Sequence, residues 1–485
     1  MKKTFIALAA IILLVTGVVA YRTIQMGSKQ LTAPAASDFN LDTTAIIARL
    51  SSAIQLKTVS SQAAANSWDE FLKFDELLRD SFPKVHSQLV REVVGDYSLL
   101  YTWKGSDDQL KPILLMAHMD VVPVDRQTEN KWTHPPFSGA VAEGFIWGRG
   151  TMDDKASVVG ILEAVEQLLA AGFQPWRTVY LAFGHDEEIG GRNGAAKIAA
   201  LLSSRKVELE FVLDEGGSIT DGIIAGVTAP VAVIGVAEKG YLSLELSGET
   251  PGGHSSIPPP TTAIGILSRA IEALERKPFP SRLTEPTRKM FDFIGPEMPW
   301  PRRIFLANLW LFDSLVRREL EKSPLAAALI RTTQAATIFE AGVQENVLPT
   351  KARAVLNYRL LPGDTIASVT DHVRKIIANP DVKITALPVQ MEPSAVSDVD
   401  SNAFQLLHST IRQIAPKAVI APSLLVAATD SRHYAKLTKN IFRFLPITLR
   451  PEDTKRYHGI DERISVPDYE RCVRFFAELI KNSNK

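Results

Sequence analysis

The chain has 485 residues, 46% of them hydrophobic, and its 54 basic and 54 acidic residues give a formal net charge of zero. This length predicts two or three domains with a large buried core, and the charge balance excludes the basic surplus typical of a nucleic-acid-binding protein. The only cysteine is Cys472, which excludes an intramolecular disulfide and a cysteine-based zinc site, so any metal must be held by histidine, aspartate and glutamate.

At the N-terminus, two lysines precede an uncharged apolar run at residues 4–21. The run is longer than a typical signal-peptide core of about 7–15 residues and slightly shorter than the ~20 residues of a comfortable membrane span. Residues 1–21 are therefore predicted to be a retained membrane anchor or a cleaved signal peptide, with a buried helix as a third alternative. The lysines favour a cytoplasmic N-terminus, so we expect an exported body, either membrane-anchored or secreted or periplasmic, that follows a linker at residues 22–40.

From residue 41 to about residue 236, short apolar strands alternate with helices. Three of these strands run directly into polar residues, at 112–120, 178–188 and 209–217. Buried strands separated by helices predict a mostly parallel sheet, and functional sites of such sheets lie at the carboxyl ends of the strands.

The pattern changes between residues 237 and 391. Strict alternation of apolar and polar residues at 241–249, and in two later segments, predicts half-solvated strands of an antiparallel sheet in an α+β domain. Residues 277–323 are rich in proline, arginine and aromatic side chains and are predicted to be an insertion within this domain. Helix–strand alternation resumes over 392–485, so the sequence predicts an α/β fold in which the second domain interrupts the first.

His118 and Asp120 end the first polar-tipped strand and lie two residues apart, on the same side of it. The imidazole can bind a metal through one ring nitrogen while the carboxylate fixes its tautomer through the other. The pair alone is a weak signal, because most such tripeptides carry no function.

Two pairs of adjacent carboxylates follow. Asp153 and Asp154 begin a helix after a Gly-Arg-Gly turn, where a plain N-cap is the alternative to a metal ligand. Glu187 and Glu188 end the second strand, and adjacent like charges usually need a compensating cation. A metal can bind Glu188 while Glu187 stays free as a base; a solvated acidic loop is the alternative.

Asp214 closes the third strand, and a late histidine, either His458 or His433, completes the candidate set. Because these groups follow strands that finish at one edge of a sheet, together they predict a metal site of imidazole and carboxylate ligands. Such ligands suit zinc, and a bridging carboxylate can hold two ions about 3.5–4 Å apart.

The motifs AHMDVVPV, WGRGTMDDK, GHDEEIGG, LDEGG, GGHSS and RYHGIDERI occur in this order. The set resembles the co-catalytic zinc metallopeptidases, the family of aminoacylase, carnosine dipeptidase and carboxypeptidase S. WGRGTMDDK, EKGYLSLEL and HGIDERI are most similar to the branch of carboxypeptidase S and the N-acyl amino acid hydrolases and synthases. The resemblance implies a mostly parallel zinc-peptidase catalytic domain at 41–236 and 392–485, with an inserted α+β lid or dimerisation domain at 237–391.

The resemblance implies two zinc ions per subunit, although other divalent ions suit the same side chains. The ligands that it implies are His118, Asp153, Glu188, Asp214 and His458. Asp153, favoured over Asp154, is similar to the carboxylate that bridges the two ions. Asp214 would join His118 on one ion, with Glu215 as the alternative, and His458 would join Glu188 on the other. Asp120 would orient His118, and Glu187 would be the general base.

The resemblance also implies residues that contact the substrate. His254 is similar to a histidine that holds the oxyanion, sometimes from the partner subunit, so a homodimer through the inserted domain is expected. Arg359, Asn346 and Arg432 are candidates to bind a substrate carboxylate. A turn histidine and solvated arginines are the alternatives.

The function implied is hydrolysis of an amide bond beside a free carboxylate, as in carboxypeptidase S acting on small peptides. An N-acyl amino acid amidohydrolase or synthase is the alternative within the enzyme class, and the residues do not separate the two. A non-catalytic binding protein on the same fold would have lost ligands, and all of the motif ligands are present in the sequence. A purely structural zinc site would normally be rich in cysteine.

Overall fold

The computed structural model describes residues 1–36, 41–61 and 68–484. The α-helices α1 to α14 comprise, in chain order, Lys2–Gln25, Thr43–Gln55, Trp68–Ser81, Pro83–Gln88, Lys155–Ala170, Ala195–Ser204, Ala263–Arg276, Glu285–Ile294, Trp300–Ala307, Leu309–Leu320, Pro324–Ala328, Ile366–Ile377, Asn402–Ile414 and Val466–Asn482. The strands β1 to β19 comprise Val90–Val94, Ser98–Trp103, Ile113–His118, Val141–Ala142, Phe145–Trp147, Val179–Gly184, Phe211–Asp214, Ile219–Thr220, Val231–Glu238, Gly240–Glu249, Gly253–His254, Thr333–Ala341, Val347–Leu348, Lys351–Leu360, Val382–Met391, Val419–Leu425, Ile441–Arg443, Thr448–Leu449 and Arg463–Ser465.

The largest sheet has the strand order β1-β2-β6-β3-β7-β17-β9-β8-β18, with β16 paired to β9. Its centre is parallel: β3 lies between β6 and β7, and β17 continues beside β7. The three strands predicted to end in polar residues are β3, β6 and β7, and they are direct neighbours. Because they run in the same direction, their carboxyl ends meet at one edge, which confirms the predicted fold class.

Helix α5 explains how this sheet is covered. It packs against β3 on one side and α14 on the other, and most of its residues are buried, including the polar Lys155 and Glu163. The Arg49 side chain of α2 pairs with Glu163, which satisfies the buried charge. A helix buried on both faces requires the nearly continuous apolar sequence that the α5 segment has.

A second, four-stranded antiparallel sheet has the order β12-β14-β10-β15. The alternating residues Leu242, Leu244 and Leu246 of β10 point into a separate core that α7 and α12 cover. This sheet has the antiparallel arrangement that the alternation predicted. The boundaries of the inserted domain at residues 237 and 391 remain a prediction.

The segment 277–323, predicted to be an insertion in the second domain, also contacts the large sheet. Its helix α8 lies against β16. Met290, Phe291 and Ile294 of α8 join the core of the large sheet. These positions form one face of α8, and the exposed apolar edge at β16 gives that face a surface to cover.

The N-terminal segment is also more ordered than a linker. Helix α1 extends four residues beyond the predicted boundary, to Gln25, and is long and apolar enough to cross a membrane. The Gln30 side chain donates to the Ile420 carbonyl at 3.0 Å and accepts from the Ile420 N–H at 2.8 Å. The side-chain amide of Gln30 thus makes the two hydrogen bonds to Ile420 of β16 that the backbone of a neighbouring strand would make. Residues 37–40 of the predicted linker lie outside the described residues.

Candidate metal centre

The candidate site forms where β3, β6 and β7 end. His118 is the last residue of β3 and lies opposite Gly184, the last residue of β6. Three residues later the chain forms a 3₁₀ turn at Glu187–Ile189, and β7 ends at Asp214. The turn before α5 adds Asp153 and Asp154, which are joined by a cis peptide bond. The carboxyl ends of β3, β6 and β7 therefore lie close to the turn that begins α5.

Asp153 faces two histidines that are far apart in the sequence. Its Oδ1 lies 2.8 Å from His118 Nε2, and its Oδ2 lies 3.1 Å from His458 Nε2. His458 Nε2 also lies 3.3 Å from an oxygen of Glu188. One carboxylate with an imidazole at each oxygen is the arrangement that a bridging ligand between two cations requires.

Two overlapping groups of ligand atoms are close enough to hold metal ions. One contains His118, Asp153 and Glu188, and the other contains His118, Asp154 and Glu215. Within each group the ligand atoms lie within 4.8 Å of one another. The two groups share His118, so among the described residues they adjoin each other at this imidazole.

Asp214 and Glu215, the two candidate ligands after β7, have different contacts. Its Oδ2 accepts a hydrogen bond from the Ser431 N–H at 2.9 Å, and its Oδ1 accepts from the Glu215 N–H at 3.0 Å. Glu215 instead places an oxygen 3.7 Å from His118 Nε2. Asp214 therefore secures the loop at Ser431, and the geometry favours Glu215, the alternative that the sequence left open.

Asp120 organises the site around His118. The Asp120 carboxylate, fully buried, accepts hydrogen bonds from the backbone N–H groups of Glu187 and Glu188, each at 3.1 Å, and from the Ser60 hydroxyl. His118 Nδ1 lies 2.9 Å from the Asp120 carbonyl and 3.3 Å from its carboxylate. These contacts leave His118 Nε2 directed at Asp153; the orienting role of Asp120 remains a prediction.

The electrostatics of the cluster favour a bound cation. Burial raises the pKa of Glu188 and raises that of Glu215 well above its usual value, and neighbouring carboxylates add to both shifts. Bonds to Asp153 and Glu188 raise the pKa of His458 to about 10. In the part of the chain that the structure describes, Glu188 Oε1 and Asp154 Oδ2 are buried without a hydrogen-bond partner. Unpaired carboxylate oxygens beside imidazoles fit a divalent metal.

Glu187 lies beside the cluster and belongs to neither group of ligand atoms. Burial raises the pKa of its carboxyl group well above the usual value, and the charges of His118, Asp430 and Glu188 act on it as well. Its backbone N–H is fixed by Asp120. A buried glutamate of raised pKa beside a candidate metal site, and outside both groups of ligand atoms, is suited to proton transfer.

The predicted substrate-binding residues lie apart from this cluster in the described contacts. His254 is exposed on β11, where its Nδ1 accepts a hydrogen bond from the Ser256 N–H. β11 pairs with β13, and Asn346 accepts a hydrogen bond from the Ser255 N–H through its carbonyl. The structure therefore brings the His254 and Asn346 segments together on the inserted domain.

The two candidate arginines have different surroundings. Arg359 lies on β14 with its guanidinium 4.7 Å from the centre of the Tyr241 ring, and burial lowers its pKa. Arg432 donates to the carbonyls of Thr429 and Gly190, at 2.8 and 3.0 Å. Arg432 therefore links two loops of the catalytic body. Among the described contacts, the guanidinium of Arg359 makes fewer hydrogen bonds to protein acceptors than that of Arg432.

His433 is half-buried, 3.7 Å from an Asp430 oxygen, and burial lowers its pKa to about 4. It is absent from both groups of ligand atoms. Between the two late histidines, the geometry favours His458.

Sequence reasoning missed Glu462, although the residue lies within the HGIDERI motif. Glu462 is fully buried, and its Oε1 accepts hydrogen bonds from the N–H groups of Gly150 and Met152, each at 2.9 Å. Its Oε2 accepts from Arg149 at 2.6 Å. This residue therefore joins the turn that presents Asp153 to the loop that carries His458. The available signal was that each of two motifs contains a residue of opposite charge, Arg149 in WGRGTMDDK and Glu462 in HGIDERI.

Comparison with known proteins identifies the relatives of this chain. The model of the family described as Peptidase family M20/M25/M40 matches residues 114–482. The probable carboxypeptidase S-like 2 of Dictyostelium discoideum is 47% identical over 443 residues, which cover 90% of this chain and 85% of that protein. The N-fatty-acyl-amino acid synthase/hydrolase PM20D1 of Mus musculus is 44% identical over 446 residues, covering 91% and 88%.

Among solved structures, the M20 family metallo-carboxypeptidase Sso-CP2 from Sulfolobus solfataricus has a TM-score of 0.67 at 19% identity. The match covers 90% of this chain and 99% of that chain. At this identity the likeness shows a shared fold.

Proposed function

The chain belongs to peptidase family M20/M25/M40, and from this membership we propose that it is a two-metal hydrolase whose ions share Asp153 and whose general base is Glu187. The predicted resemblance to the carboxypeptidase S and N-acyl amino acid hydrolase branch is confirmed, and so is the prediction of a metal-dependent amide or peptide hydrolase. The proposal concerns the number of ions, the ligands and the roles of individual residues.

The observation that carries the proposal is the position of Asp153 between His118 and His458. We assign His118 and Glu215 to one ion, Glu188 and His458 to the other, and Asp153 to both. Zinc suits this set of imidazole and carboxylate ligands. When bound, two divalent cations supply Lewis-acid activation of a water molecule and of the scissile carbonyl.

The residues of the chain then divide the remaining work. Glu187 accepts a proton from the attacking water as the water oxygen bonds to the carbonyl carbon. Glu187 then donates that proton to the leaving nitrogen as the C–N bond breaks. Asp120 holds the N–H groups of Glu187 and Glu188 and so fixes the base relative to the ligands. His254 donates to the oxyanion, which requires the inserted domain to approach the sheet edge or a partner subunit to supply the histidine.

The substrate has an amide bond whose leaving amine carries a free carboxylate. We assign recognition of that carboxylate to Arg359 and Asn346, with a smaller role for Arg432, because the Arg432 guanidinium already binds two backbone carbonyls. Small peptides are the principal substrates under this proposal. N-acyl amino acids are the second candidate, because curated relatives that share about nine-tenths of the chain are named N-fatty-acyl-amino acid synthase/hydrolases.

We also assign α1 to a retained membrane anchor with the catalytic body on the extracytoplasmic side. Lys2 and Lys3, the first two residues of α1, favour this orientation. Removal of residues up to Ala20 by a signal peptidase would delete the Val19 carbonyl that the buried Asn308 binds at 3.2 Å. The contacts between α1 and the body therefore support retention over cleavage.

A substrate panel tests the proposed function. The purified full chain is assayed on dipeptides, on N-acyl amino acids, and on the same compounds with the carboxylate converted to an amide. We expect the compounds with a free carboxylate to be hydrolysed and their carboxamide derivatives to resist hydrolysis. If Arg359 binds the substrate carboxylate, this difference should occur in both substrate classes. Equal rates on the carboxylates and the amides would contradict the assignment, and the Glu187→Gln variant provides the background rate.

A further inference from the structure

Helix α1 presents its apolar side chains outward. Phe5, Leu13 and Leu14 are each at least 70% exposed. The uncharged stretch between Lys3 and Arg22 contains residues 4–21, which at 1.5 Å per residue span about 27 Å. This length is close to the ~30 Å hydrocarbon thickness of a bilayer, so Arg22 would lie at the outer boundary of the hydrocarbon.

The last turns of α1 are fixed to the junction of α9 and α10. The Asn308 side chain at this junction is fully buried and donates to the Val19 carbonyl at 3.2 Å and to the Thr23 hydroxyl at 3.1 Å. Arg303 of α9 donates to the Met26 carbonyl just after α1. The junction therefore lies within two helical turns of the end of α1, at the level where a spanning helix leaves the hydrocarbon.

The helices that meet at this junction carry large exposed apolar side chains. Trp300, Trp310 and Leu315 are 54%, 53% and 51% exposed, and Phe305 and Leu311 are 40% and 45% exposed. Leu311 and Leu315 are one helical turn apart and so lie on the same face of α10. Soluble proteins rarely expose such patches unless the patch binds a partner or a membrane.

We propose that this face, formed by α9 and α10, rests on the lipid bilayer that α1 crosses. The occupant is a phospholipid surface because the face continues directly from the candidate spanning helix. Tryptophan is enriched at the headgroup level of membranes, and Trp300 and Trp310 lie on the two helices joined to the end of α1. Arg318 is exposed three residues after Leu315, on the same face of α10, and complements lipid phosphates.

This contact determines how the enzyme sits on the membrane, and it rests on the proposed retention of α1. A single spanning helix on a flexible linker would let the body swing freely. Here the α9–α10 face, the Asn308 bonds and the pairing of Gln30 with β16 hold the body in one orientation. Amphiphilic substrates dissolved in the lipid and soluble peptides would then approach a site at a fixed height above the bilayer.

Lipid quenching of a site-specific probe tests the proposal. The full chain carries Leu311→Cys or Leu315→Cys, labelled with an environment-sensitive NBD fluorophore; Cys472 is buried and does not compete for the label. The matched control is Leu72→Cys, a leucine 54% exposed on α3 of the catalytic body. Each variant is reconstituted in phosphatidylcholine–phosphatidylglycerol vesicles with and without spin-labelled lipid.

We expect strong quenching at positions 311 and 315 and little at position 72. Equal quenching at the three positions would overturn the docking, and blue-shifted emission without lipid quenching would assign the face to a second protein copy instead. Failure of the protein to float with the vesicles would overturn both the anchor and the docking. Hydrolysis of a soluble dipeptide by the same variants separates these outcomes from failure of the proposed catalytic function.

Discussion

Asp153 offers one carboxylate oxygen to His118 and the other to His458, two imidazoles that lie 340 positions apart in the numbering, on β3 and on the loop before β19. Glu188 and Glu215 approach the two histidines from either side. At the scale of single residues, the account therefore depends on a division of labour among neighbouring carboxylates. In the proposal, some of these carboxylates bind metal, Asp120 orients His118, and Glu187 transfers protons.

The first prediction concerns the base. Glu187→Gln removes the proton acceptor and keeps the shape of the side chain, so kcat should fall by about 10²–10⁴-fold. The metal content should stay at the wild-type level, because Glu187 binds neither ion in the proposal. Rates from stopped assays are compared with metal analysis of the same sample. A near-normal rate at full metal content would remove Glu187 from the mechanism.

The second prediction separates the two late histidines. His458→Ala should reduce the bound metal by about one ion per chain, because His458 serves one of the two ions in a bridged pair. His433→Ala is the matched control, since His433 contacts Asp430 and belongs to neither group of ligand atoms. Metal analysis by mass spectrometry decides between them. Loss of metal in the His433 variant alone would transfer the ligand role.

The third prediction concerns the adjacent pair after β7. Glu215→Gln should lower metal occupancy, because Glu215 approaches His118. Asp214→Asn should lower the melting temperature and largely keep the metal, because Asp214 accepts hydrogen bonds from the backbone at Ser431 and Glu215. Thermal unfolding and metal analysis are measured on both variants. The reverse pattern would restore Asp214 as the ligand.

This pair also marks a limit of sequence reasoning at the residue scale. The motif LDEGG predicts a carboxylate ligand at the end of β7. Whether that ligand is Asp214 or Glu215 depends on which hydrogen bonds each carboxylate already accepts. Asp214 accepts one from the Ser431 N–H, more than two hundred residues away in the sequence. Long-range hydrogen bonds of this kind leave no pattern in the local sequence, whereas the contact of His118 with Asp120 joins residues only two positions apart.

At the scale of elements, the turn before α5 depends on the loop before β19. Glu462 accepts hydrogen bonds from Gly150 and Met152 and pairs with Arg149, all within the turn that presents Asp153. Both partners are buried, so neither charge has water as an alternative partner. The two loops that supply Asp153 and His458 are thereby held as one unit.

The fourth prediction tests this connection. Glu462→Gln leaves the Arg149 charge buried without its partner, which should lower the free energy of unfolding by roughly 3 kcal/mol. Because the turn also orients a metal ligand, metal affinity should fall by about 10–100-fold. Denaturant unfolding and metal titration measure the two effects, with Glu275→Gln, an exposed residue of α7, as a control for charge. Unchanged metal affinity would limit Glu462 to a structural role.

The elements themselves differed in how well the sequence predicted them. The strands β3, β6 and β7 and the antiparallel sheet followed from apolar runs and strict alternation, because these patterns report which face is buried. The packing of α8 on β16 did not follow. An amphipathic helix requires an apolar surface to cover, but its own sequence does not indicate which of two sheets provides that surface.

At the scale of the whole molecule, the main core of the large sheet and the core of the antiparallel sheet are joined through β9 and β10, and the N-terminal helix is bonded to the part that carries the large sheet. The large sheet gathers the charges at one edge. In the proposal, the antiparallel sheet carries Arg359, and the β11–β13 pair carries His254, toward the substrate side. Composition predicted the size of the core and the absence of cysteine ligands. The exposed apolar side chains of α9 and α10 could not be predicted, because exposure depends on how these helices pack in the folded chain.

The central claim is that two divalent ions share Asp153, and diffraction at the zinc absorption edge tests it most directly. Crystals of the purified full chain, with the metal identified by elemental analysis, should show two anomalous peaks per chain on the two sides of the Asp153 carboxylate. One peak should lie beside His118 and Glu215, and the other beside Glu188 and His458. A single peak, or peaks remote from Asp153 in a fully active preparation, would contradict the account.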